Sequence, residues 1–156
     1  MLGFEQMIVR LVIALGLGAL VGLERNLAGK EAGMRTEMLI SGGAAIFTII
    51  ALELPYLTSP SPELIPQVVI GSTFMTVIAN IVVGVGFLGA GIIIKTQERV
   101  HGLTTAAAVW TTAAIGVLAG MGLWKFALAS TVIIVVLLYL SRKLEVEERI
   151  TKQPSE

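Results

Sequence analysis

Cysteine is absent from the chain. That excludes disulfides, thiolate metal sites and a cysteine nucleophile. Aspartate is absent as well, so every acidic residue is Glu and phosphoryl chemistry on an Asp carboxylate is excluded. The one histidine, His101, cannot build a zinc site alone. No catalytic set, no metal-ligating set and no cofactor-holding set is identified. Basic and acidic residues balance at 11 each, which leaves no electrostatic footprint for a nucleic-acid partner. Residues 1–6 carry no Lys or Arg, and no small-residue cleavage site precedes the Glu24-Arg25 pair. The first apolar stretch is therefore expected to stay and span, not to be removed as a signal peptide.

What the chain has in quantity is apolar surface. Hydrophobic residues make up 55% of its 156 residues, and its mean hydropathy is +0.88. A soluble domain of this length needs far more polar surface, so the composition points to the membrane class. The expected fold is all-α, a polytopic transmembrane helical bundle of about five spans, over residues 1–141. Residues 142–156 form a short charged tail, expected to prolong the last helix by a turn or two and then fray.

Five apolar stretches cover residues 3–23, 38–54, 65–94, 103–121 and 123–140. A bilayer crossing takes roughly 20 helical residues, and all but the third fit one crossing each. The third is too long for one straight span and too short for two. It begins as a surface segment after Pro66, runs long and tilted, or breaks near Gly84 and Gly86. Arg25, Lys30 and Arg35 lie between the first two stretches, Lys95 and Arg99 between the third and fourth, and Arg142, Lys143, Arg149 and Lys152 after the last. With five spans all three regions share one side. The positive-inside rule makes it cytoplasmic, with the N-terminus outside and the C-terminus inside. Lys125, beside Trp124, is the exception and is expected to snorkel outward.

Small residues recur at every fourth position, as at Ala14, Gly18 and Gly22, or Thr104, Ala108, Thr112, Gly116 and Gly120. Ser72, Thr76, Asn80 and Gly84 repeat the pattern in the third stretch. Residues four apart share a helix face, and small-residue ridges let membrane helices approach closely. Gly18, Gly22, Gly84, Gly86, Gly89, Gly91, Gly116 and Gly120 are accordingly expected to pack helices. The GVGFLGAG run at 84–91 has no preceding strand and no following Gly-Lys-Ser/Thr, so it is not a phosphate loop. Two intramembrane polar residues stand apart. Arg10 lies near the outer end of the first span, where a cation must snorkel or find a bundle partner, and Asn80 is expected to hydrogen-bond between helices.

Residues 22–36, GLERNLAGKEAGMRT, concentrate opposite charges between the first two spans. One reading is a basic loop anchored to lipid head groups; the other is a paired ionic site, Glu24 against Arg25 or Arg35. Lys30 and Thr36 belong to the same candidate cluster, Thr36 as a cap of the second helix. Thr104 and Thr105 enter from the same side, to cap the fourth span or help line the pocket. Glu24 and Glu37 mark the inner mouth and Glu53 the outer end, leaving no carboxylate at mid-membrane.

The same segments carry a resemblance. GLER (22–25), KEAGMRT (30–36), GGAAIFT (42–48), GVGFLGAGIII (84–94) and VHGLTTAAAVWTTAAIGVLAG (100–120) resemble, in this order, the MgtC/SapB family of bacterial and archaeal membrane proteins. The resemblance covers most of residues 16–120 and implies a membrane domain of about five helices in the inner membrane. It departs from the family where TVIAN (76–80) replaces an approach that usually carries Asp, Arg and Gln, and where longer members continue into a cytoplasmic domain. It implies a link to magnesium limitation and stress adaptation, through a regulator or adaptor that contacts other membrane proteins. The alternative is a transporter of Mg²⁺ or another divalent cation. Mg²⁺ prefers carboxylates and retained waters, which the apolar spans lack. The expected partners are the lipid bilayer and a membrane protein, with a homo-oligomer left open.

Overall fold

A computed structural model describes residues 1–58, 72–97 and 100–151. Five helices in it are long and apolar enough to cross a membrane. They are α1 (Phe4–Leu27), α2 (Met34–Thr58), α3 (Ser72–Ile92), α4 (Leu103–Gly120) and α5 (Trp124–Thr151). The protein is thus a multi-pass helical membrane protein. Between α3 and α4 a two-stranded antiparallel ribbon, β1 (Ile94–Lys95) with β2 (Val100–His101), pairs Ile94 with His101. Hydropathy alone gave no sign of that ribbon, because its four residues read as the end of one span and a loop.

Several boundaries move relative to the sequence reading. The charged segment at 22–36 is mostly helix: Glu24 and Arg25 lie in the last turns of α1, and Arg35, Thr36 and Glu37 in the first turn of α2. The turn between them is short, with Gly29 at φ 63°, a conformation that glycine takes at little cost. Thr36 does not cap α2. Asn26 of α1 does, its Oδ1 accepting from Met34 N at 3.3 Å. The N-cap of α4 is Gly102, at φ 84°, so Thr104 and Thr105 sit inside the first turn instead of capping it. Helix α3 runs unbroken through Gly84 and Gly86. Its approach at 59–71, including Pro66, lies outside the described residues. Helix α5 continues to Thr151, somewhat beyond the expected turn or two.

Helix α2 is the centre of the bundle, packed between α1 and α4. Glycine makes both seams. A Cβ at Gly18 would stand 2.5 Å from the Glu37 carbonyl oxygen, and one at Gly120 2.8 Å from that of Ala45. At Gly22 it would strike the Met34 backbone, and at Gly116 the Ser41 carbonyl. Such close approach supplies the dispersion contact that holds helices together in lipid, where hydrophobic burial offers little. Leu17, Val21, Ile115 and Ala127 fill one part of the core, and Ala14, Ala45 and Ala119 another.

The third-helix glycines behave differently. Gly89 reaches only ordinary contact with Ala106, at 3.6 Å, and a Cβ at Gly84, Gly86 or Gly91 would meet nothing within 4 Å among the described residues. Helix α3 packs on α4, touches α2 more lightly, and turns most of its surface outward: Met75, Val83 and Phe87 are all exposed. An apolar exterior of this kind is what a hydrocarbon solvent requires.

Candidate functional site

The basic end of the bundle holds a buried polar cluster built from three helices. Helix α1 contributes Glu24 and Arg25, α2 contributes Glu37 and Ser41, and α4 contributes Thr112. Arg25 is only 2% exposed, and Glu37, Ser41 and Thr112 are wholly buried. Arg25 Nε donates to Glu24 Oε2 at 2.7 Å, and its Nη2 donates to the same oxygen. Of the two pairings weighed from the sequence, Glu24 takes Arg25 and not Arg35, which is exposed.

Glu37 has no such bond. Thr112 approaches its carboxylate from α4, and Arg25 is the cation acting on it. Yet Ser41 Oγ, Glu24 Oε1 and Arg25 Nη1 complete no hydrogen bond among the described residues. Each unmade bond of a buried polar group costs on the order of 1–3 kcal/mol, and more for a charged one. The neighbouring threonines show the usual remedy. Thr48 donates to Ala44 O at 2.7 Å and Thr131 to Ala127 O at 2.8 Å, each to its own helix four residues back. Ser41 and Thr112 make no bond of that kind, although both lie on the tight α2–α4 seam that Gly116 creates.

Of the sequence-derived cluster, Glu24, Arg25 and Thr105 are buried at this end, whereas Lys30, Arg35, Thr36 and Thr104 are exposed. Glu37, Ser41 and Thr112 were missed as a unit. The signal for two of them was spacing: Glu37, Ser41, Ala45 and Thr48 step along one buried face of α2. Thr112 was visible only as a member of a packing ridge.

The opposite end has its own polar contacts. Arg10 Nη1 donates to Gly120 O at 2.8 Å, placing a cation on the carbonyl end of α4, where the helix dipole favours it. Glu53 Oε1 accepts from Leu2 N at 2.7 Å. Asn80 makes no interhelical bond among the described residues. Exposed, it lines a lateral groove of about 560 Å³ between α2 and α3, with Ile40, Gly43, Phe47, Gly84 and Leu88. A second groove, of about 460 Å³, runs between α1 and α5 from Leu20 and Thr131 to Glu24, Tyr139 and Arg142. Among the described residues no group of three or more His, Cys, Asp or Glu is placed to hold a metal ion.

Residues 11–147 match the model of the MgtC family. Protein MgtC of Salmonella typhimurium is 43% identical over 148 residues, 94% of this chain and 56% of that protein. Protein SrpB of Synechococcus elongatus is 38% identical over 130 residues, 78% of this chain and 67% of that protein. YhiD of Escherichia coli K12, whose name proposes a magnesium transporter, is 35% identical over 133 residues, 85% of this chain and 59% of that protein. No solved structure matches. The chain thus spans little more than half the length of the MgtC proteins it matches. With the family model covering nearly the whole chain and the five-helix membrane architecture beneath it, the protein belongs to the MgtC family.

Proposed function

We propose that this chain is a regulator or adaptor of the inner membrane, linked to magnesium limitation and stress adaptation, which works by contact with another membrane protein. Its basic end faces the cytoplasm, in keeping with the positive-inside rule. The observation that carries the reading is the lateral face of α3. Among the described residues that helix is barely covered, and it carries a polar amide, Asn80, into a groove of about 560 Å³. An amide facing hydrocarbon is costly and gains from a partner able to hydrogen-bond within the membrane.

The rival reading is transport of Mg²⁺ or another divalent cation, the activity that the name of YhiD proposes for that relative. It fits the fold less well. Backbone contact closes the α1–α2 seam at Gly18 and Gly22 and the α2–α4 seam at Gly116 and Gly120. An ion path would have to be lined by several chains together.

Gly84→Leu tests the adaptor reading. The groove has room for the side chain, since a Cβ at Gly84 meets nothing within 4 Å. The variant should insert and fold as the parent does, yet fail to restore growth of a deletion strain in low magnesium. Full complementation by a stably inserted Gly84→Leu protein would refute a partner in this groove.

A further inference from the structure

The groove between α1 and α5 is separate from the α2–α3 groove of the adaptor reading, and its lining changes character along its length. Leu20, Leu23, Val132 and Val136 make an apolar wall. The hydroxyl on that wall, Thr131, is satisfied by its own helix through Ala127 O. At the basic end the wall gives way to Tyr139 and Arg142. They are three residues apart on α5 and share a face, with the Arg142 guanidinium 5.5 Å from the centroid of the Tyr139 ring. Cation–π attraction steadies the guanidinium there and leaves its N–H donors free. Among the described residues none of those donors makes a hydrogen bond or ion pair. Glu24 also lines this end, but Arg25 already takes up its charge.

The dimensions select the occupant. From Thr131 to Arg142 the helix rises about 16 Å at 1.5 Å per residue, half of a hydrocarbon core that is roughly 30 Å thick. The groove, of about 460 Å³, therefore covers the leaflet at the basic end and stops near the middle of the α5 span. A partner helix would cross the whole core. A lipid chain ends at the midplane, and its head lies at the interface, where Tyr139 and Arg142 stand. Charge then selects the head. A guanidinium offers a phosphate paired N–H donors, and exposed Lys143 adds a second cation beside Arg142. A zwitterionic head would bring an ammonium up to these two cations, and an anionic head would not.

We infer that the α1–α5 groove binds one anionic phospholipid from the leaflet at the basic end, with an acyl chain against Leu20, Val132 and Val136 and the phosphate on Arg142. Only 11% of the α5 span is buried among the described residues, so a seated chain supplies packing between α1 and α5 that the protein itself does not. The lipid thereby holds the last helix against the first. This inference uses a different groove from the adaptor reading and stands or falls apart from it.

The test is native mass spectrometry of the whole purified chain, delipidated in detergent and titrated with dioleoyl phosphatidylglycerol, dioleoyl phosphatidylethanolamine or dioleoylglycerol. The three share their acyl chains, so only the head differs. The expected result is one tight phosphatidylglycerol per chain, bound roughly tenfold more tightly than either of the others. Arg142→Gln should lose that preference, whereas Lys143→Gln, exposed and outside the lining, should keep most of it. Val136→Trp fills the groove and should weaken the first site; Ile133→Trp, on the exposed surface of α5 beside the groove, should not. Equal affinity for the three lipids, graded uptake with no first site, equal losses in Arg142→Gln and Lys143→Gln, or an unaltered site in Val136→Trp would each overturn the inference. So would a dimer that phosphatidylglycerol does not displace and Val136→Trp dissolves, which would make the occupant a second copy of the chain.

Discussion

Removing Arg25 should cost far more than removing the carboxylate it binds. Arg25→Met leaves Glu24 and Glu37 buried on adjoining helices with no cation between them. Breaking a buried pair by deleting one partner typically costs about 3–5 kcal/mol, a large part of a stability of roughly 5–15 kcal/mol. Glu24→Gln instead frees Arg25 to turn toward Glu37, the carboxylate on which it already acts. Arg25 then keeps a carboxyl partner, and the loss should stay near 1 kcal/mol, the net value of a hydrogen bond. The double change Arg25→Met with Glu37→Gln should be milder than Arg25→Met alone, a non-additivity of at least about 1 kcal/mol. Reversible unfolding in mixed micelles, followed by circular dichroism, measures all three. Equal losses for Arg25→Met and Glu24→Gln, or strict additivity in the double variant, would refute the charge count on which this reasoning rests.

Gly116→Val should destabilise the bundle by about 1–3 kcal/mol, the usual cost of overpacking, because its side chain strikes the Ser41 carbonyl. Gly86→Val, with nothing within 4 Å, should be close to neutral in the same assay. Arg10→Gln loses a charged hydrogen bond to Gly120 O and a favourable dipole contact, and should lower stability by roughly 1.5–3 kcal/mol. Because the chain has no cysteine, single replacements report topology directly. Lys30→Cys should resist an impermeant thiol reagent in intact cells while Lys125→Cys is labelled, and the reverse pattern would invert the orientation.

Composition and periodicity were enough to read the architecture. Five apolar stretches became five helices, and the four-residue ridges at Gly18–Gly22 and Gly116–Gly120 became the two seams of α2. The same ridge logic misread α3, since periodicity reveals that a face is small without revealing what stands opposite. At Gly84, Gly86 and Gly91 nothing does among the described residues. Charge clustering found the Glu24–Arg25 pair but grouped with it residues that the fold leaves exposed, because loop and helix end look alike in a charged stretch. Lys30, Arg35 and Thr36 point outward, whereas Glu37, immediately after them, turns inward on the 3.6-residue period of α2. That inward turn depends on where α2 begins, which Asn26 fixes through Met34. Thr112 joins the site only through the α2–α4 crossing, a long-range relation that no local pattern encodes.

The proposed role is regulation of a partner without transport of magnesium. Its most direct test is Mg²⁺ uptake into proteoliposomes containing only this purified protein, read with an enclosed Mg²⁺-sensitive dye. For a regulator, uptake should equal that of empty liposomes, with and without a membrane potential. Saturable, Mg²⁺-selective uptake that scales with the amount of protein would contradict it.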